Sequence, residues 1–328
     1  MIDLSTNYMG LTLKNPVIVG SSGLTRTLDN LVKAEDKGAG AVVLKSLFEE
    51  QIKFEIRKVF SYDDVQSAYT EADDYIRNYS RAQTIDEYLK LIQDAKSKIS
   101  IPVIPSINCV TSDEWPAFAK EIEKAGADAL ELNVFVLPAD IDTPGQEYEK
   151  LYFEIIETVK KQVKIPIALK ISYHFSGLAE LVKKLSWSGI QGMVLFNRFY
   201  NPDVDIDKFT VKPGNLYSTP EEISTSLRWI AILADRVQTD LCASTGVHDG
   251  YGVVKQLLAG AKAVQVCSAL YKHGFDHISF IVKQLNLWME KNNFNKIEDF
   301  RGKLSYKKSD NPVVFHRVQF MKHFAGIE

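Results

Sequence analysis

The chain has 328 residues, 45% of them hydrophobic and 25% charged, with a formal net charge of −3 and a pI near 6.1. That length suits one large core of about 250 residues or more, and the charge gives no electrostatic reason to expect nucleic acid or an acidic membrane as partner. Cys109, Cys242 and Cys267 are widely spaced with no CxxC pair, so neither a disulfide framework nor a metal site is expected. Met1 to Ser5 lack the basic and apolar regions of a signal peptide and no run approaches the roughly 18 apolar residues of a membrane span, which predicts a soluble, cytoplasmic protein.

Residues 5 to 14 read as a small hairpin placed to cap a barrel floor, with Gly10-Leu11 as its turn. Pro16 to Gly20 is an apolar strand ending at Ser21-Ser22-Gly23. A helix from Thr27 to Lys37 follows, and Gly40 to Leu44 forms strand two, which delivers Lys45 and Ser46 at its C-terminal end. Strand, helix, strand at this spacing is a parallel βαβ signature. The stretch from Leu47 to Gln83, rich in charge and in tyrosine (Tyr62, Tyr69, Tyr75, Tyr79), breaks the rhythm and predicts a functional loop or an interface.

Thr84 to Lys98 reads as a helix, with Thr84 as N-cap and Glu87 as its capping-box partner. Strand three runs from Ile101 to Asn108, and a helix from about Asp113 to Lys124. Strand four, Ala129 to Phe135, opens into a long loop carrying Asp140, Asp142 and Pro144-Gly145. The helix Glu147 to Lys161 leads to strand five, Ile165 to Ile171, and the helix Gly177 to Leu185 to strand six, Gly192 to Asn197. An extended segment, Arg198 to Thr219, precedes a helix from Pro220 to about Asp235, capped by Thr219. Strand seven, Leu241 to Ala243, opens into Ser244-Thr245-Gly246-Val247. After a helix ending near Gly260, strand eight, Ala263 to Val266, opens into Cys267-Ser268-Ala269-Leu270. Asp276 to Lys291 is an amphipathic closing helix. Eight βα units predict an α/β protein: a (β/α)8 TIM barrel with an N-terminal hairpin and loop insertions after strands two, four and six, forming a single domain over residues 1 to 328.

Chemistry in such a barrel gathers at the C-terminal strand ends, where this chain places Ser22, Lys45, Asn108, Asn133, Lys170 and Asn197. The small-residue turns after strands seven and eight leave backbone N–H groups uncovered ahead of a helix, which suits a phosphate dianion. Two lysines and three amides suit a planar ring rich in oxygen and nitrogen, on which negative charge forms. A reduced flavin is such a ring, and a single phosphate at the last two turns points to flavin mononucleotide (FMN). Each residue also has a structural reading: the small turns permit close packing, Lys45 or Lys170 pairs with an acid such as Glu131, and the asparagines cap strand ends. A Schiff-base lyase or aldolase, with a lysine attacking a phosphorylated carbonyl substrate, is the alternative from another reaction class.

Taken in order, Asn15-Pro16 to Ser22-Gly23, Leu44-Lys45-Ser46, Glu131-Leu132-Asn133, Ala168-Leu169-Lys170, Phe196-Asn197 and Ala259-Gly260-Ala261 to Ala269-Leu270 resemble the dihydroorotate dehydrogenase family, particularly its soluble class 1 branch. The resemblance covers almost the whole chain. It implies an FMN-binding barrel, usually a homodimer, that oxidises dihydroorotate to orotate in pyrimidine biosynthesis. It further implies that Lys45 and Asn133 touch flavin and substrate, that Lys170 sits at the flavin ring near N1, and that Asn197 faces the substrate. Thr245, Gly246, Cys267 and Ser268 would hold the phosphate, with Ser21, Ser22, Ser46, Asn108 and Phe196 completing the cofactor site.

Three departures stand out. The family's base, Cys or Ser, lies three residues after the strand-four asparagine, where this chain has Val136, and neither residue occurs through Gly145. The nearest acids are Asp140 and Asp142. The family's substrate-gripping motif has no counterpart between Leu47 and Gln83, and the second asparagine after the base position is missing. The phosphate turns carry less glycine than usual, which backbone binding tolerates. The chain thus resembles the family's flavin-binding half more than its substrate half, and a flavin-binding protein without dehydrogenase chemistry is a third expectation.

Overall fold

The computed structural model describes residues 2–50, 52, 85–112, 116–199 and 201–316. Thr84, the four tyrosines between Tyr62 and Tyr79, and most of the Leu47 to Gln83 stretch lie outside them. Short runs rich in β-branched residues form the barrel strands, beginning with β3 (Val17–Val19) and β4 (Ala41–Val43) joined by α1 (Leu28–Asp36), after a hairpin of β1 (Thr6–Tyr8) and β2 (Leu11–Leu13). Next come β5 (Leu47–Phe48), α2 (Ile85–Lys98), β6 (Val103–Ile104), β7 (Ser106–Cys109), α3 (Pro116–Lys124), β8 (Leu130–Val134), α4 (Gly145–Lys160), β9 (Ile167–Ile171), α5 (Leu178–Ser186) and β10 (Gly192–Leu195). The chain continues through β11 (Pro202–Asp205), β12 (Thr210–Pro213), α6 (Ile223–Leu233), β13 (Asp240–Ala243), α7 (Gly250–Ala259), β14 (Ala263–Val266), α8 (Ser268–His273) and α9 (Asp276–Lys291).

Every pairing within the large sheet is parallel, and its order is β5-β7-β8-β9-β10-β13-β14-β3-β4-β6. Its two ends meet. The β4 and β5 segments are halves of the second barrel strand, β6 and β7 halves of the third, and each half pairs with its counterpart (Val42 opposite Val103, Leu47 opposite Ile107). The ten segments are therefore eight strands of a closed (β/α)8 barrel, as the sequence predicts. The unbroken third strand expected from Ile101 to Asn108 is corrected to two pieces. Pro105 has no N–H to give a ladder, and the Ser106 N–H goes instead to the Tyr88 hydroxyl at 2.9 Å. The segment from Arg198 to Thr219 also gains structure: β11 and β12 pair antiparallel. Both strands are exposed along nearly their whole length, so no buried face marks them by alternation.

Strand alternation divides the core in two. Outward-facing Val17, Val42, Leu132, Leu169, Leu241 and Val264 pack on the helices through residues such as Leu31, Leu181, Val253 and Ile281. Inside the barrel the lower positions are mostly small: Ala41, Ala129, Ala168, Cys242 and Ala263, with Ile18 and Val194. The hairpin fills that space. Tyr8, Met9 and Leu13 are buried there, held by the Met9 N–H on Asp240 (2.9 Å) and the Thr6 hydroxyl on the Lys262 carbonyl (3.0 Å). Gly192 permits the approach, since a Cβ there would stand 2.6 Å from Met9 Cγ.

The Tyr8 hydroxyl is buried with no hydrogen-bond partner among the described residues, and an unsatisfied buried hydroxyl costs about 1–3 kcal/mol. Tyr8→Phe is therefore expected to leave stability unchanged or raise it, whereas Tyr8→Ala should cost about 3–5 kcal/mol through the cavity it leaves. Urea titrations of both variants test the plug, and a loss above about 1 kcal/mol for Tyr8→Phe would contradict it.

Candidate active site at the C-terminal mouth of the barrel

Above the plug the inward-facing positions turn polar. One cavity of about 330 Å³ opens there, lined by Ser21, Asn108, Asn133, Lys170, Asn197, Thr245, Gly246, Cys267 and Ser268 from the expected set, and by Phe48, Phe135, Arg198, Ser218, Ser244, Val247 and Gln265 besides. Four expected residues lie outside this lining. Ser22 caps the short helix Gly23–Thr25, accepting the Leu24 N–H. Ser46 stands behind Ser21, linked to it (3.0 Å) and to Ser106 (2.8 Å) by hydroxyl contacts that stitch the first three strand ends together. Lys45 is half-buried in the break between β4 and β5, and Phe196 lines a smaller neighbouring cavity with Tyr173 and Phe199.

At the floor of the cavity lies a buried charge relay. Lys170 Nζ donates to Gln265 Oε1 at 2.9 Å, and Gln265 Nε2 donates to Glu131 Oε2 at 2.5 Å. Lys170 Nζ is 3.9 Å from the other Glu131 oxygen. The pairing of Lys170 with Glu131 anticipated from sequence is thus present, yet Lys170 and Gln265 still face the cavity. Gln265 is a residue the sequence reading passed over. Its signal was available, because a glutamine within Ala263-Val264-Gln265-Val266 occupies the same inward register as Glu131 in Leu130-Glu131-Leu132.

The amides occupy the cavity wall. Asn197 Nδ2 is anchored to the Val134 and Lys170 carbonyls (3.3 and 3.5 Å). Asn133 Oδ1 is buried with no partner among the described residues, and such an acceptor lining a cavity is a place for a ligand donor. At the other end, Thr245 and Gly246 both adopt left-handed backbone (φ +76° and +77°), with the Thr245 hydroxyl on the Phe196 carbonyl at 3.2 Å. Beside them the first turn of α8 begins at Ser268, where helix N–H groups have no partner within the helix. Two turns offering backbone donors to one cavity, with an orphan amide acceptor further in, fit a flavin phosphate and ring.

The long segment after β10 is latched over this end. The Ser218 N–H donates to Ser268 Oγ (3.0 Å), its hydroxyl meets His248 Nε2 (3.0 Å) and its carbonyl accepts from Lys272 Nζ (3.1 Å). Burial, with the Lys272 charge adding to it, holds the His248 imidazole below its ordinary value. Arg198 ties the preceding turn, bonding Glu222 (2.9 Å) and the carbonyls of Asn215 and Leu216. Ser218, His248 and Arg198 had no pattern to announce them, because their partners lie far away in sequence.

The acids after strand four stay outside. Asp140 is exposed and accepts from Thr143 and from the Asp142 N–H, which holds its carboxyl below the ordinary range. Asp142 is exposed as well, and Val136 packs against the apolar core. Phe135 takes the cavity position there, stacked on Phe199 with ring centroids 4.2 Å apart.

A parallel barrel whose polar cavity sits at the C-terminal strand ends has the architecture of a barrel enzyme, whose chemistry gathers at that face. The comparison with known proteins narrows the class. Residues 75–289 match the family model for dihydroorotate dehydrogenase, and the chain belongs to that family of oxidoreductases. It is 26% identical over 314 residues to the dihydroorotate dehydrogenase B (NAD(+)) catalytic subunit of Thermoplasma volcanium, covering 92% of this chain and 98% of the relative. The corresponding subunit of Pyrococcus abyssi is 27% identical over 310 residues (91% and 98%). The chloroplastic dihydropyrimidine dehydrogenase (NADP(+)) of Arabidopsis thaliana is 26% identical over 331 residues (92% and 76%).

Proposed function

We propose that this protein is an FMN-dependent dehydrogenase that removes hydrogen across a CH–CH bond of a small ring compound of the dihydropyrimidine kind, dihydroorotate being the family's substrate. The observation that carries the reading is the meeting of Lys170, Asn108, Asn133 and Asn197 with the Thr245-Gly246 and Cys267-Ser268 turns around one cavity. Bound flavin supplies the hydride acceptor. The chain's own part is to hold phosphate at the two turns, to present amide donors and acceptors to the ring edge and substrate, and to place the Lys170 cation where negative charge forms. The lyase reading loses support at Lys170, since a Schiff-base lysine is activated by an apolar pocket or a cationic neighbour and Lys170 has a carboxylate beside it; Lys45 lies outside the cavity lining.

Residues 1 to 328 act in this reading as one domain. The β11–β12 hairpin exposes Val204, Ile206, Phe209 and Val211, with Phe209 90% exposed, and an apolar projection of this kind supports a homodimer. Electrons then leave through a soluble acceptor or a second protein, in keeping with the relatives named as catalytic subunits of NAD-linked enzymes. No helix among the described residues is long and apolar enough to cross a membrane, and a cytoplasmic setting suits the free Cys242 and Cys267. The purified protein should show visible flavin absorption, release FMN on heating and scatter light as twice the chain mass. A colourless protein that cannot be reconstituted with FMN would sink the reading.

A further inference from the structure

The relay beneath the cavity has a chemistry of its own. Glu131 is 1% exposed and does not line the cavity, so it reaches any ligand only through Lys170 and Gln265. Its neighbours fix the sense of the chain. An ammonium can only donate and a carboxylate can only accept, so the Gln265 carbonyl must face Lys170 and its amide N–H must face Glu131. One carboxylate oxygen, Oε1, is buried with no hydrogen bond among the described residues, facing Lys170 at 3.9 Å. A buried acid so placed is costly to keep, and neither phosphate binding nor the amide wall uses it.

Resting on the flavin reading above, we propose that Glu131 is a positioning residue that sets the redox potential of the bound flavin. It offsets the Lys170 cation through Gln265, and thereby keeps the reduced, negatively charged ring from being over-stabilised. A hydride moves two electrons and one proton's nucleus onto the ring, which gains one negative charge, while the substrate's other hydrogen leaves as a proton. The floor then holds Lys170 positive and Glu131 negative, and the carboxylate opposes the new charge. A full cation without that counter-charge would favour the reduced state and hinder passing the electrons on. Burial pushes the Cys242 thiol upward and the Glu131 charge adds to it; the Tyr8 hydroxyl is raised by burial, then by Cys242 and Glu131.

The test pairs a change that removes the charge with one that keeps it. Glu131→Gln removes the negative charge, and Glu131→Asp keeps it on a shorter side chain. Flavin content is measured first, then the two-electron midpoint potential against a reference dye and the affinity for sulfite, which adds to the oxidised ring as an anion. Glu131→Gln is expected to shift the oxidised-to-reduced equilibrium about tenfold toward reduced, roughly 30 mV more positive, and to tighten sulfite binding by a similar factor. Glu131→Asp, which keeps the charge, should hold both near the wild-type values. A purely structural role would move the two variants alike or not at all, and either result, with flavin bound, overturns the proposal. Loss of flavin by both variants would overturn it too, by showing that the relay builds the pocket. A wild-type protein without flavin defeats the flavin reading itself, so the two failures are distinguishable.

Discussion

Gly246→Ala is expected to abolish retention of the flavin while the chain still folds. Two independent costs meet at this residue. Its backbone stands at φ +77°, where an L side chain costs roughly 1–2 kcal/mol. A Cβ there would also lie 2.1 Å from the Ile223 nitrogen and 2.6 Å from the Glu222 carbonyl carbon. Those are backbone atoms at the start of α6, which cannot rotate away as a side chain can. Either the turn or the helix must shift, and in the proposed site the turn presents N–H groups to the phosphate. A displacement of several tenths of an ångström at an anion site of fixed donors should weaken FMN binding by about a hundredfold or more, about 2.7 kcal/mol. The ratio of flavin to protein after desalting reads this directly, with thermal unfolding as the check on folding. Gly145→Ala is the control, because a Cβ at Gly145 meets nothing within 4 Å. Full retention by Gly246→Ala would remove the strand-seven turn from the phosphate site.

How legible this was in the sequence depended on where each signal lives. Apolar runs at regular spacing gave all eight barrel strands, because a parallel strand buried on both faces needs a continuous hydrophobic stretch. The hairpin's place was also readable, although the reason it fits there was not: the alanines inside the strands leave a space that Tyr8 and Met9 fill, and no local pattern states that. Residues at strand ends, such as Asn133 and Lys170, could be found from register alone. Ser22 could not be separated from Ser21 in this way, since hydroxyls one residue apart differ only in which side of the turn they face, and Ser46 is drawn behind Ser21 by a contact between two different strand ends. Gln265 hid inside a strand, and Ser218 and His248 became neighbours only through closure of a segment whose sequence carries no buried periodicity.

The flavin-loaded protein should be reduced by dihydroorotate about 10²–10⁴-fold more slowly than a family member that retains the cysteine or serine base, the usual contribution of a positioned general base. Hydride departure from a CH–CH bond must be matched by loss of a proton, and the described cavity wall lacks the family's base after strand four, its remaining candidate being the Ser218 hydroxyl against His248 Nε2 at 3.0 Å, on the far side at the phosphate turns. Its amides are not bases. The Cys267 thiol is raised by burial and directed to the Gly20 and Ser21 carbonyls, so it is a thiol and not a thiolate at neutral pH. Asp140 is exposed and held below the ordinary carboxylate range by its own turn, which weakens it as a base as well as keeping it out of the cavity. Val136→Cys alone should recover less than about tenfold, since Val136 packs toward the apolar core and Phe135 holds the cavity position. Anaerobic stopped-flow at 450 nm measures the rate, with dithionite reduction as proof that the flavin is competent. The pH profile carries the argument further than the rate does. With hydroxide or water taking the proton, log rate should climb with pH without levelling, whereas a protein base gives a plateau above its own pKa. A plateau near neutral pH, or reduction within tenfold of a base-bearing relative, would assign the proton to a protein base, with Ser218 and His248 the described pair to test first, and make dihydroorotate this protein's own substrate.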